Sequence, residues 1–590
     1  MDAVFVEHTT TFKTHDGETL FYRRWQPNCP TDRAVALLHR GHEHSGRVSH
    51  LVHELGLEGF SFYAWDARGH GQSTGARGDS PSFAASVRDL DCFTTHLCVT
   101  YNLSPQNIAV VAQSVGAVIA AAWVHDYAPA IRCMALASPA FDINLYVPFA
   151  RGGLQVLHAL KGNFYVNSYV RPAMLTHDKA RAASYANDPL IARAISVRQL
   201  LGLYRAADRV VSDANAIQVP TQLLIAGSDF VVRRPAQIKF FERLGTLEKE
   251  MHILPGFYHD TLGEQDRQQT LEKIRGFIRL QFARHSARPS LLEADQMGAT
   301  KSEAEALSMP LPAQSAQGLF WRGIRAGLAI GAKLSEGLKL GVRTGFDSGS
   351  TLDYVYQNRP SGISMLGRYI DQQYLNAIGW RGIRQRKQHI QELLGLAMQR
   401  LDERGVAIHI LDIAAGHGRY ILEGLTSSDI RPASVLLRDY SDLNVQKGTL
   451  LIEQNGLHDI ATFAKGDAFD PQSLRAIKEH PSLVIVSGLY ELFGDNTIVD
   501  TSLSALAALM APGSYLIYTG QPWHPQLEFI ARALTSHRDG RPWVMRRRTQ
   551  AELDQLVVQA GFSKIEQRID EWGIFTVSIA QRSDANHVES

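Results

Sequence analysis

Runs of apolar residues that end in glycine, serine or aspartate recur along the first half of the chain. They begin near residues 34, 60, 108, 131 and 221, and each predicts a buried strand followed by a turn. Residues 12–25 alternate around Asp16-Gly17, which predicts a hairpin. Helical spacing appears between these runs, for example over residues 83–99. Strands that alternate with helices indicate a sheet of the α/β class.

A second series of apolar runs begins near residues 407, 433, 461, 482 and 511. At 590 residues the chain is too long for one hydrophobic core, so we expect more than one domain. Residues 142–211, between two predicted strands of the first series, form a mostly helical stretch rich in Tyr, Leu and Ala. We predict that this insertion is a helical cap over a pocket.

The composition changes between the two series. Residues 285–318 are rich in Ser, Ala, Glu, Gln and Pro, which predicts a flexible linker. Residues 319–350 then form a basic amphipathic segment containing Phe320 and Trp321. Two interpretations remain open for it: contact with an anionic membrane surface, or packing on the next domain. The predicted domains are therefore residues 1–284 and 351–590.

Charge and cysteine content narrow the classes of function. Lys and Arg number 60 and Asp and Glu 59, so there is no net field to hold nucleic acid, and we expect no nucleic-acid partner. The four cysteines have no Cys-x-x-Cys spacing, which favours a reducing compartment over zinc-thiolate sites. No signal-peptide pattern opens the chain, so we expect a cytoplasmic protein, membrane-associated if the basic segment binds lipid. The sequence carries no signal for an oligomeric state.

Ser114 stands where the run at residue 108 breaks into small residues. The order strand, sharp turn and helix lifts such a serine above the edge of the sheet, where its hydroxyl can act as a nucleophile. The usual pattern is Gly-x-Ser-x-Gly, and this sequence has Ala112 and Gly116 around Ser114. A serine between small residues also starts ordinary buried helices, so the prediction depends on partners elsewhere.

Asp229 and His259 each follow a predicted strand, and the order Ser114, Asp229, His259 is that of an α/β-hydrolase triad. We expect His259 to accept the serine proton and Asp229 to orient its imidazole. The loop after the strand at residue 34 contains three histidines, but they lack metal-ligand spacing, and we predict no metal site. We predict instead an oxyanion hole formed by the N–H groups of Gly41 and Val115.

These features resemble the monoacylglycerol lipase and lysophospholipase branch of the α/β-hydrolases. The motifs that carry the resemblance are HRGHEHSGR (39–47), GHGQSTG (69–75), Ser114, DPL (188–190), GSD (227–229) and GFYH (256–259). The resemblance implies an α/β-hydrolase fold and cleavage of acyl esters of lipids. The family's oxyanion loop reads His-Gly-x-Gly, whereas this chain has Arg40 and His42 at the two glycines. Hydrolysis of small esters or peptides, and a triad retained without activity, remain alternatives.

The second series carries a different motif. Asp412 ends its first strand and is followed by Ala414, Gly416 and Gly418, a turn that allows a nucleotide ligand to approach the backbone closely. Asp439 ends the next strand, about 20 residues further on, where an acid holds ribose hydroxyls. Asp467 follows the third strand as a candidate partner for an adenine amine.

This series resembles the class I S-adenosylmethionine-dependent methyltransferases. The resemblance implies a Rossmann-like fold and S-adenosyl-L-methionine as cofactor. An NAD-binding domain is the alternative, but Gly416 and Gly418 lack its usual third glycine. Tyr490 and Glu491 are candidate acceptor bases by position alone, and residues 354–386 form either a cap or a packing surface. A domain that binds the cofactor without transfer, or a degenerate docking module, also remains open.

The arginine-rich run over residues 541–548 is interpreted as a solvated hairpin or loop, with contact to an anionic acceptor as the alternative. Taken together, the sequence predicts an α/β protein of two parts. The first is a serine hydrolase of acyl esters, with a lipid or small acyl ester as its substrate. The second is a methyltransferase of unknown acceptor. The whole resembles fusions of an α/β-hydrolase with a methyltransferase.

Overall fold

The computed structural model describes residues 5–147, 149–284, 288–538 and 540–584. The chain divides into two compact units, residues 1–289 and 290–590. The predicted domains and linker also include residues 1–4, 148, 285–287, 539 and 585–590, which lie outside the described residues.

The first unit is built from strands that alternate with helices. Its strands are β1 (Val6–Lys13), β2 (Thr19–Gln26), β3 (Ala34–Leu38), β4 (Ser61–Trp65), β5 (Ile108–Gln113), β6 (Cys133–Ala137), β7 (Tyr165–Asn167), β8 (Ala194–Ser196), β9 (Thr221–Ala226) and β10 (Lys249–Leu254). Its helices are α1 (Leu51–Glu54), α2 (Phe83–Tyr101), α3 (Val115–Tyr127), α4 (Ala150–Lys161), α5 (Lys179–Asn187), α6 (Val197–Ser212), α7 (Arg234–Arg243) and α8 (Gln268–Ala283).

Eight of these strands form one sheet in the order β1-β2-β4-β3-β5-β6-β9-β10. The predicted hairpin is present: β1 and β2 are antiparallel, with Lys13 opposite Thr19. In this sheet, β4, β3, β5, β6, β9 and β10 are parallel to one another. Strands β3 to β6 are buried on both faces, which explains their continuous apolar sequence. Helices α1 and α8 cover one face through an apolar cluster that includes Leu51 and Ile274.

The predicted cap region lies between β6 and β9. Here the structure has helices α4, α5 and α6 and a two-stranded antiparallel sheet of β7 and β8. Val197, Leu201 and Tyr204 on α6 form a small apolar cluster with neighbouring cap residues. The cap therefore has a core of its own.

The second unit has its own strands and helices. The strands are β11 (His409–Ile413), β12 (Ser434–Asp439), β13 (Ala461–Lys465), β14 (Leu483–Val486), β15 (Tyr515–Gly520), β16 (Phe562–Ile569) and β17 (Thr576–Arg582). The helices are α9 (Ala299–Ser308), α10 (Ala316–Gly331), α11 (Glu336–Thr344), α12 (Gly349–Gln357), α13 (Met365–Leu375), α14 (Ile378–Glu403), α15 (Arg419–Thr426), α16 (Asp442–Gln454), α17 (Pro471–Arg475), α18 (Asn496–Leu509), α19 (Leu527–Ala533) and α20 (Gln550–Gln559).

The sheet of this unit has the order β13-β12-β11-β14-β15-β17-β16. Strands β11 to β15 are parallel, and β17 is antiparallel to both neighbours. Helices α14, α15 and α16 cover one face and α18 and α20 the other. This is the Rossmann-like architecture that the sequence predicted, with the strand order reversing between β11 and β14.

The structure corrects the predicted linker. Residues 290–318 belong to the second unit and contain helix α9. The Asp295 carboxylate accepts a hydrogen bond from the Asn496 backbone N–H at 2.9 Å, and Glu303 pairs with Arg547. The polar composition of this segment reflects a surface helix that is held by specific pairs, and composition alone does not distinguish that from a linker.

The basic segment forms α10 and α11. Trp321 is buried and lies 6.3 Å from the Phe529 ring, and the Arg325 side chain donates to the Arg532 carbonyl. Packing on the second unit was one of the two interpretations. Phe320 remains 57% exposed, so membrane contact of that face stays a prediction. Within the described residues, no helix has both the length and the apolar character needed to cross a membrane.

The interpretation of residues 541–548 as a solvated loop is wrong for its three adjacent arginines. Arg546, Arg547 and Arg548 are all buried. Arg546 donates to Glu552 at 2.6 Å, and Arg548 donates to the Tyr490 carbonyl at 2.6 Å. These side chains hold loops of the second unit together. The four cysteines are free, and only Cys29 is exposed.

Candidate active sites

Ser114 occupies the turn between β5 and α3. Its backbone has φ 56° and ψ −116°, a left-handed conformation that is strained for a residue with a side chain. A Cβ at Gly116 would lie 2.4 Å from the His39 carbonyl oxygen, so only glycine fits there. Ala112 lies inside β5 and is fully buried, which explains why alanine is tolerated at that position of the pattern.

The structure brings the three predicted triad residues together. The Ser114 Oγ is 2.8 Å from the His259 Nε2, and the His259 Nδ1 is 2.8 Å from the Asp229 Oδ2. Burial by itself raises the pKa of Asp229, but His259 and the N–H groups of Val231 and Val232 hold it below its usual value. Asp229 is therefore ionised and accepts the Nδ1 hydrogen, which leaves Nε2 to accept the serine hydrogen.

The two predicted oxyanion donors are neighbours. A Cβ at Gly41 would lie 3.0 Å from the Val115 Cγ2, so the loop after β3 touches the first residue of α3. His39 anchors this loop: its Nε2 accepts the Ala67 N–H, and its Nδ1 donates to the Arg40 carbonyl. His42, at the position of the second family glycine, keeps a positive φ of 71°. The loop retains the backbone form that glycine favours.

Arg40, the other departure from the family pattern, belongs to a buried network. It pairs in a bidentate manner with Glu43 at 2.7 and 2.8 Å, and its Nη2 lies 3.4 Å from Asp260. Asp260 follows His259 in the chain and accepts a hydrogen bond from Gln113, which precedes Ser114. The network therefore ties the loop after β3 to the turns that carry Ser114 and His259.

The three histidines of this loop have separate partners. Burial lowers the pKa of His39 and of His42, so both rings are neutral. The His44 Nδ1 caps the Gly46 N–H, and its Nε2 is 3.0 Å from Asp188 in the cap. His39 and His44 therefore hold the loop in place through hydrogen bonds. The contact with His44 gives Asp188, in the motif at residues 188–190, a structural role between the cap and this loop.

A cavity of about 230 Å³ opens beside Ser114 and His259. We call it the acyl cavity. Its cap side is apolar and includes Leu145, Leu154, Val166, Leu200 and Leu203. Among the described residues that line it there is no aspartate or glutamate. Such a pocket suits an uncharged, apolar group next to the nucleophile.

The second unit has a cavity of about 540 Å³ at the carboxyl ends of β11, β12, β13 and β14. We call it the cofactor cavity. Ala414, Gly416, Gly418, Asp439 and Asp467 all line it. It lies where the strand order reverses, which is the usual ligand site of such a sheet.

The turn after β11 approaches this cavity with its backbone. Gly416 and Gly418 have φ of 60° and 74°, and Ala414 has φ 55° although it has a side chain. A Cβ at Gly418 would lie 2.7 Å from the Leu437 Cδ1, so a larger residue would have to displace this side chain in addition to adopting the positive φ. Strain at Ala414 in a ligand-facing turn is typical of functional loops.

The two acids of the cavity differ in surroundings. Asp439 is buried and accepts hydrogen bonds from the N–H groups of Gly416 at 3.0 Å and Ser441 at 2.9 Å. Burial raises its pKa above the usual value. Asp467 is exposed and bonds to the Phe469 N–H. The Asp439 Oδ1 accepts a second hydrogen bond from the Asn444 amide at 3.0 Å, so it is the Asp439 Oδ2 and the Asp467 carboxylate that keep acceptor capacity for a ligand hydroxyl or amine.

Two protein families match successive parts of the chain. Residues 274–582, more than half of the chain, match a family described as "Putative methyltransferase". The chain belongs to this family. Residues 30–266 match a second family, described as "Serine aminopeptidase, S33". The protein therefore joins an α/β-hydrolase half to a methyltransferase half of class I type, as the sequence predicted.

Relatives of known sequence agree with this division. The protein YnbC of Escherichia coli K12, described as uncharacterized, is 53% identical over 575 residues, which is 97% of this chain and 98% of that protein. The monoacylglycerol lipase of Mycolicibacterium smegmatis is 26% identical over 268 residues, 44% of this chain and 93% of that protein. The human monoglyceride lipase is 28% identical over 250 residues, 41% of this chain and 80% of that protein.

Solved structures also resemble the chain in part. The monoacylglycerol lipase of Paleococcus ferrophilus has a TM-score of 0.40 at 22% identity and covers 47% of this chain and 99% of its own. A monoglyceride lipase variant of Saccharomyces cerevisiae has a TM-score of 0.43 at 17% identity and covers 48% of this chain and 97% of its own.

One predicted cofactor residue of the methyltransferase half does not line the cofactor cavity. Asp412 is fully buried, and both of its oxygens accept from the Tyr420 hydroxyl at 2.8 Å. Burial raises its pKa well above the usual value. Asp412 is a strand residue whose side chain turns into the protein and fixes α15. Its sequence position next to the glycine-rich turn gave no sign of this orientation.

Sequence reasoning missed other residues of the methyltransferase half. Arg386 on α14 and Gly488 after β14 line the cofactor cavity, and so does the buried Ser487, whose Oγ has no hydrogen-bond partner among the described residues. A Cβ at Gly488 would lie 3.0 Å from the Arg386 Nη2. Residues 386 and 488 are distant in sequence, so only the fold brings them together.

Proposed function

We propose that the hydrolase half cleaves acyl esters of lipids, of the monoacylglycerol or lysophospholipid kind. The observation that carries this proposal is the chain of hydrogen bonds from Ser114 to His259 to Asp229, each at 2.8 Å. The apolar acyl cavity beside Ser114 supports a long acyl group, and the similarity to monoacylglycerol lipases supports the ester class.

The reaction follows from the positions of the groups. The Ser114 oxygen attacks the ester carbonyl carbon while its proton passes to the His259 Nε2. The N–H groups of Gly41 and Val115 hold the carbonyl oxygen as it becomes negative. The alcohol leaves with the proton from His259, and an acyl group remains on Ser114. Water then attacks that acyl group by the same route and releases the carboxylic acid.

Peptide hydrolysis is the second candidate, because the matched family is described as a serine aminopeptidase. An aminopeptidase must hold a positively charged amino terminus. The described lining of the acyl cavity offers no carboxylate for that purpose. The cavity therefore favours esters over peptides with a free amino group.

We infer that the methyltransferase half binds S-adenosyl-L-methionine in the cofactor cavity. Its donor set fits this molecule: Asp439 for the ribose hydroxyls, Asp467 for the adenine amine, and the open turn at Gly416 and Gly418. The Ser487 hydroxyl lines this cavity and is buried without a hydrogen-bond partner among the described residues, so a bound ligand could supply that partner. When bound, the molecule would supply an electrophilic methyl group.

The experiment that tests both halves uses the purified full chain with a bacterial lipid extract and S-adenosylmethionine carrying a deuterated methyl group. Mass spectrometry follows released fatty acids and labelled products. Fatty acid release that disappears in Ser114→Ala supports the hydrolase. A labelled product that persists in Ser114→Ala but falls in Asp439→Asn at a limiting concentration of S-adenosylmethionine supports the methyltransferase. Release that persists in Ser114→Ala would contradict the triad. The cytoplasmic location stays part of this proposal.

A further inference from the structure

The methyltransferase half contains another cavity, of about 310 Å³, next to the cofactor cavity. We call it the apolar cavity. Five residues line both cavities: Asp347, Leu352, Arg386, Gly488 and Leu492. A molecule in the apolar cavity would therefore lie beside whatever occupies the cofactor cavity.

Apolar and aromatic side chains make up most of its lining. They come from α10, α11, α13, α14, α19 and neighbouring loops, and include Leu328, Leu338, Phe346, Ile370, Trp380, Ile383, Phe529, Ile530, Trp543, Met545 and Phe575. Several of them form one continuous apolar cluster. The volume lies at the lower end of the range for small-molecule pockets, about 300–1,000 Å³. The cavity therefore suits a compact apolar ligand.

Several polar side chains interrupt this lining, and four of them keep a buried atom that has no hydrogen-bond partner among the described residues. These atoms are the Arg386 Nε, the Glu491 Oε2, the Trp543 Nε1 and the Tyr374 hydroxyl. The side chains of Arg386 and Glu491 are only 3% and 7% exposed, and their nearest charged atoms are 3.7 Å apart. The other Glu491 oxygen accepts a hydrogen bond from Thr519 at 2.6 Å.

Buried polar atoms without partners are costly, and in native proteins they call for an explanation. A ligand that brings one hydrogen-bonding group into the apolar cavity would supply partners here. The charges of Arg386 and Glu491 oppose each other, and the Asp347 carboxylate in the same lining already accepts hydrogen bonds from the Ser536 hydroxyl and the His537 N–H. A neutral group is therefore favoured over an anion or a cation. A hydroxyl group both donates and accepts, which matches the Glu491 acceptor, the N–H donors of Arg386 and Trp543, and the Tyr374 hydroxyl.

We propose that the apolar cavity binds the methyl acceptor, and that this acceptor is an apolar alcohol or phenol whose hydroxyl group bonds to Glu491. The assignment as methyl acceptor rests on the proposed function of the cofactor cavity. The binding of an apolar hydroxyl compound does not. Glu491 holds the hydroxyl hydrogen, and the aromatic lining excludes water from the group.

The test measures binding to the full chain by isothermal titration calorimetry. The probes 1-octanol, octylamine and octanoate share one apolar tail and differ at pH 7 in the charge of the head group. The compound 2-naphthol replaces the aliphatic body with an aromatic one. We expect the better of the two hydroxyl probes to bind at least about tenfold more tightly than either charged probe, because a charged head group would be buried beside a like charge.

Paired variants assign the heat to this cavity. Leu328→Trp fills the apolar cavity from α10, whereas Leu319→Trp adds the same bulk on the same helix at a position that is 55% exposed. Any binding of a probe to the acyl cavity of the hydrolase half remains in every variant, so the affinity for the apolar cavity is taken from the part of the heat that Leu328→Trp removes. For the hydroxyl probe this part should be absent in Leu328→Trp and present in Leu319→Trp. Glu491→Ala should weaken this part by about tenfold.

The outcomes separate this proposal from the proposed function. If octanoate or octylamine binds most tightly, the hydroxyl assignment is overturned, and octanoate would point to the product class of the hydrolase half. If Leu328→Trp and Leu319→Trp bind all four probes alike, the site is overturned. S-adenosylhomocysteine is titrated into the same variants as a probe of the cofactor cavity. If it gives no heat while octanol binding depends on Leu328, the ligand site stands and its role as methyl acceptor site falls.

Discussion

The two halves differ in where the polar groups of their sites find partners. In the hydrolase half, Ser114, His259 and Asp229 bond to one another. In the methyltransferase half, Arg386 and Glu491 each keep a buried atom without a partner among the described residues. In the proposed function the first site therefore supplies its own nucleophile. Among the described residues of the second site no such chain is present, and its unpartnered polar atoms can bond to a ligand.

The buried histidines His259 and His524 show the same difference between the two halves. His259 bonds to a carboxylate through Nδ1 and to a hydroxyl through Nε2. His524 lines the apolar cavity, and its Nδ1 accepts the Gln526 N–H at 3.0 Å. Burial lowers the pKa of His524 to about 4. In the proposed reaction His259 takes up a proton, whereas His524 stays neutral in the buried lining of the apolar cavity.

The largest expected effect is the loss of the nucleophile. Ser114→Ala should reduce the kcat for ester hydrolysis by about 10⁶-fold, because no other group can form the acyl intermediate. Ser104→Ala, an exposed serine that caps no helix through its side chain, should leave hydrolysis unchanged. Rates are measured with 4-nitrophenyl octanoate. Equal rates for both variants would show that the hydrolysis occurs elsewhere.

Removing the charge of Asp229 tests the next link. Asp229→Asn should lower kcat by about 10⁴-fold with little change in KM, because the imidazole loses the carboxylate that fixes its tautomer. Circular dichroism checks that the variant is folded. A loss smaller than tenfold would mean that the 2.8 Å contact between His259 and Asp229 does not orient the base.

His524 predicts a pH effect on stability. The unfolded side chain titrates near pH 6.5 and the folded one near 4, so the unfolded chain binds the extra proton between these values. Lowering the pH from 7.5 to 4.5 should therefore reduce the free energy of unfolding by about 2 to 3 kcal/mol more in the wild type than in His524→Gln. Urea unfolding of the full chain measures this. Parallel pH curves would contradict a buried, neutral His524.

The smallest expected effects concern the cofactor cavity. Asp439→Asn should weaken binding of S-adenosylhomocysteine by about tenfold, because a charged acceptor for the ribose is lost. Asp442→Asn is the matched control, since Asp442 is 72% exposed and pairs with Lys465 outside the cavity. Asp467→Asn should weaken binding by less, because Asp467 is exposed and solvent screens it. Calorimetry measures all three variants, and equal affinities for Asp439→Asn and Asp442→Asn would contradict the assigned site.

Much of the fold could be predicted because its signals are local. The buried parallel strands read as continuous apolar runs, and Ser114 and Asp229 each follow one of them, whereas His259 follows β10, a partly exposed strand at the edge of the sheet. The side chains of Ser114, Asp229 and His259 belong to turns whose position at one edge of the sheet follows from the strand directions. Their meeting was therefore predictable from order alone.

Other features depend on contacts between distant residues. Asp412 follows the same pattern of strand and turn, but its side chain points to Tyr420, which sequence position does not reveal. The segment after residue 290 has the composition of a linker, yet its pairs with Asn496 and Arg547 hold it to the second unit. Arg546 pairs with Glu552, and Arg548 donates to the Tyr490 carbonyl. The tertiary structure brings these groups together, so the run of arginines alone predicted exposure to solvent.

The central claim is that one chain carries two sites that work through different residues. The most direct measurement compares Ser114→Ala and Asp439→Asn in two assays on the full chain: labelling by a fluorophosphonate probe and calorimetric binding of S-adenosylhomocysteine. We predict that Ser114→Ala loses the label and keeps its affinity for S-adenosylhomocysteine, and that Asp439→Asn keeps the label and binds S-adenosylhomocysteine about tenfold more weakly. Labelling that survives in Ser114→Ala, or binding that is unchanged in Asp439→Asn, would contradict the account.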